Sequence, residues 1–135
     1  MTTTSHAAGT FEVKLTPQAP DDASAGAPGR LLIDKQFHGA LSGSSQGQML
    51  AVRSPVAGSA GYVAMELVTG TLAGRSGTFA LQHSGSMDRG ASSLSIHVVP
   101  DSATGELDGL SGKMDIQITD GKHSYTFDYL LPAQP

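Results

Sequence analysis

Apolar and polar residues alternate along this chain in short runs, and turn-forming residues separate the runs. Alternation with a period of two marks a strand with one face turned inward. The first run, Gly9–Thr16, places Phe11, Val13 and Leu15 on one face and Glu12 and Lys14 on the other. The second, Arg30–Leu41, places Leu31, Ile33, Phe37 and Leu41 on one face, with Lys35 among them. A turn at Gly43–Ser44 leads to a third run, Gln46–Arg53. The fourth, Gly61–Leu72, is apolar on both faces: Tyr62, Ala64, Val68 and Leu72 on one, Val63, Met65 and Leu67 on the other. The fifth, Gly77–Gly85, carries Phe79 and Leu81, and the sixth, Ser92–Val99, carries Leu94, Ile96 and Val98. After a loop at Pro100–Gly105, the seventh, Leu110–Thr119, carries Met114, Ile116 and Ile118. The eighth, His123–Leu131, carries Tyr125, Phe127, Tyr129 and Leu131. No segment has the period of a helix three turns long.

About eight strands with short connections predict an all-β fold, a closed antiparallel barrel of lipocalin-like proportions. At that strand number the interior is just filled by side chains or holds one small ligand. The domain spans residues 9–132, after a flexible N-terminus (1–8) and before a short tail (133–135). The stretch 18–29, QAPDDASAGAPG, has nothing to bury and reads as a long mobile loop, a possible lid. A strand in a one-layer barrel normally keeps its outer face wet. Val63, Met65 and Leu67 therefore predict that the fourth strand is covered, most simply by a second copy in a homo-oligomer.

Two turns set register. Asp120-Gly121 suits a type I′ hairpin, which pairs Thr119 with Lys122, Ile116 with Tyr125 and Met114 with Phe127. Gly74-Arg75 suits a type II′ turn, which wants Gly first. That turn pairs Val68 with Leu81 and Glu66 with His83, on an inward face.

Composition removes several alternatives. The 135 residues fit one domain able to bury a core without staples. There is no Cys, hence no disulfide or thiolate chemistry. The net charge is −4, and the eight basic residues are scattered singly. Nucleic-acid binding needs clustered cations and is not expected. The N-terminus lacks the basic start and apolar run of a signal peptide, and no apolar stretch is long enough for a membrane helix. A cytoplasmic location is the default expectation.

Glu66 and His83 carry the most chemistry. A carboxylate and an imidazole opposed inside a barrel can act as a general acid–base couple with shifted pKa values, or as a structural pair closing a barrel end. Lys35 either joins that cluster or extends to the rim. The lumen is expected to be lined by Lys35, Phe37, Tyr62, Phe79, Leu81, Tyr125, Phe127 and Tyr129, with Ile96 beside them. The five histidines have no metal-ligand spacing, so neither a metal nor another cofactor is expected. His123, just past a tight turn on the inward side, is placed at a barrel mouth. Gly43–Gly47 matches G-x-S-x-G, but it lies between strands instead of at a strand-to-helix turn.

Five segments carry a resemblance: IDKQFHGAL (33–41), SQGQML (45–50), GSAGYVAMELVTGTLAGRSGTFALQHSGSM (58–87), VVPDSATGELDGLSG (98–112) and DGKHSYTFDYLLP (120–132). With these the chain resembles an uncharacterised bacterial family, a domain of unknown function with an allene-oxide-cyclase-like barrel. The resemblance implies eight strands and no particular activity. Related barrels hold apolar substrates in the lumen, an analogy of fold alone. Three functions follow as expectations: binding of a small hydrophobic molecule in the lumen, proton-transfer catalysis of the isomerase or cyclase type by Glu66 and His83, or a structural, assembly role.

Overall fold

The structure is a computed structural model that describes residues 4–19, 24 and 26–133. Alternating side chains and short turns give eight antiparallel strands: β1 (Ser5–Pro17), β2 (Gly29–Gly39), β3 (Leu41–Arg53), β4 (Ala60–Leu72), β5 (Arg75–Asp88), β6 (Ala91–Val98), β7 (Ser111–Thr119) and β8 (Lys122–Leu130). Each pairs with its sequence neighbour, and β8 pairs with β1 to close the barrel. The thinnest seam is β6–β7, where only Ile96 with Met114 and His97 with Lys113 are in register.

Several boundaries differ from the sequence reading. Residues 5–8 are not a loose terminus: Ser5–Ala8 pair with Thr126–Tyr129 and help seal the barrel. The joint between β2 and β3 is at Gly39–Ala40, not at Gly43–Ser44, so Leu41 opens β3 and does not end β2. Polar residues such as Ser42, Ser44 and Ser45 looked like a turn, but they sit in a full ladder against β4. The stretch read as a mobile loop begins with Gln18 N–H donating to the Arg30 carbonyl at 2.9 Å. Its residues 20–23 and 25 lie outside the described residues.

The β4–β5 turn is also displaced. Ala73 and Gly74 both have positive φ, 54° and 76°, and form a two-residue connection between Leu72 and Arg75. Glu66 consequently pairs with Leu81, Val68 with Phe79 and Ala64 with His83. The shift is two residues, so every side chain keeps its face and the core pattern alone could not distinguish the registers. A turn with both φ values positive matches the strand twist, and this outweighs the cost of Ala in the left-handed region. Ala73→Asn is therefore expected to stabilise the protein by about 0.5–1 kcal/mol, read as a higher urea midpoint. A loss of that size would count against this turn. The Asp120-Gly121 hairpin has the expected register.

Connections alternate between the two ends of the barrel. One end is closed by the segment between β6 and β7, which contains a short 3₁₀ turn, Gly105–Leu107. Ala103, Leu107 and Leu110 from this segment are buried in the core. Thr104 N–H donates to the Thr78 carbonyl at 2.8 Å, and Arg75 reaches the carbonyls of Glu106 and Pro132 at 2.9 and 2.7 Å. Above this plug, Leu41, Val68, Leu72, Phe79, Leu81, Phe127 and Tyr125 fill the lumen with almost no exposed surface. At the opposite end, Leu15, Met87, Leu94 and Ile118 lie on inward faces yet are 38–65% exposed, because none of the described residues fills the mouth between them. On the outer wall, Val63, Met65 and Leu67 are each about half exposed. Among the described residues no helix is long and apolar enough to cross a membrane.

Candidate functional site

Midway up the barrel the apolar filling is broken by four buried polar residues: Lys35, Ser45, Glu66 and His83. They come from β2, β3, β4 and β5, adjacent strands whose inward positions meet at one height. Although Glu66 and His83 are diagonal and not opposed, long side chains span that separation. Glu66 Oε2 accepts from His83 Nε2 at 2.6 Å and from Lys35 Nζ at 2.8 Å, and its Oε1 accepts from Ser45 Oγ at 2.9 Å. Gly47, directly across from Glu66, permits this approach: a Cβ there would lie 2.7 Å from the Glu66 Cα and 2.2 Å from the Met65 carbonyl oxygen.

Burial alone would raise the Glu66 pKa. The His83 hydrogen bond, the Lys35 charge and the further contacts of both outweigh it and bring the carboxyl from 4.5 down to about 2. Glu66 is thus ionised at neutral pH, and the short contact makes His83 Nε2 the donor. Lys35 Nζ also lies 5.0 Å from the Phe11 ring centre and 5.7 Å from that of Phe37, so two aromatic faces complete its surroundings. Lys35 is a member of the cluster and does not reach the rim.

Tyr62 lies next to His83, with ring centres 6.3 Å apart. Its ring rests over Gly85, where a Cβ would come within 2.4 Å of the ring. Burial and then the Glu66 charge push the phenol pKa up, so the hydroxyl stays protonated. Among the described residues the Tyr62 hydroxyl has no hydrogen-bond partner, unlike that of Tyr125. Tyr62 also borders a concavity of about 320 Å³ at the barrel mouth, lined by Met49, Ala51, Gly85, Met87 and Leu94. Arg53, on the last pair of the β3–β4 ladder, is the one charged residue lining it among the described residues.

The remaining lining residues expected from sequence are brought together elsewhere. Phe37, Phe79, Leu81, Tyr125, Phe127 and Tyr129 pack against one another in the closed half, with Phe79 and Phe127 stacked at 6.1 Å. The Tyr125 hydroxyl accepts from Leu41 N–H at 2.9 Å and lies 3.0 Å from the His38 and Leu41 carbonyls, pinning the β2–β3 joint. His123 lies toward the mouth, against the Phe11 ring at 5.1 Å. Among the described residues no three His, Asp or Glu side chains converge as a metal site. Sequence reasoning missed Ser45 and the mouth residues Met49, Ala51, Met87 and Leu94. Ser45 was legible only if the third strand was carried back to Leu41, which makes it an inward position.

Comparison with known proteins agrees with this architecture. A crystal structure of a protein of unknown function from the DUF3224 family of Shewanella oneidensis MR-1 is 44% identical, with a TM-score of 0.91. The alignment covers 97% of this chain and 100% of that one. No curated protein matches. The family model "Protein of unknown function (DUF3224)" matches residues 7–129, nearly the whole barrel, and the chain belongs to that family.

Proposed function

We propose that the protein binds a small, predominantly apolar molecule in the mouth of its barrel. The observation that carries this reading is the concavity of about 320 Å³ bounded by Met49, Ala51, Tyr62, Met87 and Leu94. That volume is at the lower end of ligand cavities, about 300–1,000 Å³, and an apolar wall with few polar groups is their usual character. The exposure of Leu15 and Ile118 across the mouth adds apolar surface that a ligand would cover.

The polar cluster meets this site through His83, which lies beside Tyr62. Both Glu66 oxygens are engaged and the carboxylate is held ionised, which makes it a weak base. This favours a structural role for the Glu66–His83 pair over proton transfer by Glu66.

Titration with N-phenyl-1-naphthylamine tests the proposal. Its fluorescence is expected to rise on binding the wild type and to stay flat with Ala51→Phe, which fills the cavity. Circular dichroism checks that the variant is folded. No binding to the wild type, or equal binding to the folded variant, would rule the mouth out as the site.

A further inference from the structure

The cavity wall has a chemical asymmetry that narrows the ligand class. Its apolar residues offer no directional contact. Arg53, exposed at the outer edge of the ladder, is the one charged residue lining the cavity among the described residues and disfavours a cation. Deeper in, Tyr62 is half-buried and its hydroxyl has no hydrogen-bond partner among the described residues, so it can donate to a ligand. Next to it, His83 directs Nε2 to Glu66, and its Nδ1 makes no hydrogen bond to any described residue.

Resting on the binding reading above, we infer that the mouth cavity takes an uncharged molecule with one hydrogen-bond-accepting oxygen, a ketone, aldehyde or ester carbonyl, which receives the Tyr62 hydroxyl. A hydrocarbon would leave that hydroxyl stripped of water and unpaired, which is unfavourable for a polar group. A carboxylate at the same point would be desolvated close to the Glu66 carboxylate. Those are the two influences that keep the Tyr62 phenol from ionising, and they act on any anion placed there. An uncharged acceptor avoids both. The position of Tyr62 is set by Gly85 beneath its ring and by the ladder against Ala51, so the donor is held in place before the ligand arrives.

The experiment is competition for bound N-phenyl-1-naphthylamine by a matched series: decane, 2-decanone and decanoate, with wild type, Tyr62→Phe and Arg53→Gln. The ketone is expected to bind the wild type most tightly. Tyr62→Phe should weaken it about 5–10-fold, the value of one hydrogen bond, while leaving decane within about twofold. Equal affinity of the ketone for wild type and Tyr62→Phe would overturn the inference while sparing apolar binding at the mouth. Decanoate binding more tightly than the ketone and losing that advantage in Arg53→Gln would also overturn it, in favour of an anion held at the rim. Failure of the dye and of all three compounds to bind the wild type would overturn the binding reading itself.

Discussion

Replacing Glu66 with Gln is expected to destabilise the fold by about 3–5 kcal/mol, the usual cost of removing one member of a buried ion pair. The loss would be a large part of the 5–15 kcal/mol typical of a whole domain. Gln keeps the shape and can still meet Ser45, but it leaves the Lys35 ammonium, 6% exposed, without a counter-charge. Urea unfolding at neutral pH measures the effect. The double variant Glu66→Leu/Lys35→Met should recover much of the loss, because neither charge is then buried alone. Independent, additive losses in the double variant would show that the pair is not coupled.

The same carboxylate gives the wild type a defined acid response. Its folded pKa of about 2 lies below the ordinary value of 4.5, so its contribution is fully present above 4.5. That contribution is lost as pH falls from 4.5 toward 2, and over the whole window it amounts to about 3 kcal/mol. A plot of stability against pH should therefore fall in this range for the wild type and more gently for Glu66→Gln. Parallel curves would place the acid sensitivity in other groups.

Phe127→Ala is the second large effect, expected at about 3–5 kcal/mol. Phe127 has no exposed surface and stacks on both Phe79 and Tyr129, at 6.1 and 5.3 Å. Truncation leaves an apolar void in the half of the lumen that is otherwise full. Such voids stay dry and accept benzene-sized molecules, so added benzene should restore part of the lost stability. Ile118→Ala, at a mouth position that is 65% exposed, should cost under about 1 kcal/mol. Comparable losses at the two positions would contradict the division of the lumen into a packed half and an open half.

How much could be read in advance differs between levels. Alternation placed Phe37, Val68, Phe79, Met114 and Phe127 on the inner face, because a strand's period of two is a local geometric fact. The turn at Asp120-Gly121 was legible because Gly supplies the positive φ that a tight hairpin needs. The Ala73-Gly74 turn was not, since Ala is disfavoured there and only the joint twist of β4 and β5 selects it. Glu66 and His83 were recognisable as a pair because a two-residue slip keeps both inside. Ser45 escaped because local polarity suggested a turn, whereas its pairing with Lys35 and Val68 fixes it in the wall.

By itself the sequence determined the strand periodicity, the closed eight-stranded barrel and the presence of polar groups on its inner face. The periodicity and the inward polar positions depend on neighbours within a few residues and on turn chemistry, and closure follows from the strand number, although its seam joins Ser5–Phe11 to His123–Tyr129. Tertiary structure alone decided which part of the lumen is full and which is open. The plug formed by Leu107 and its neighbours, the stacking of Phe79 on Phe127, and the stretch from Met49 to Leu94 around the mouth join residues distant in sequence. Packed volume is a property of all the strands at once, and no local pattern records it.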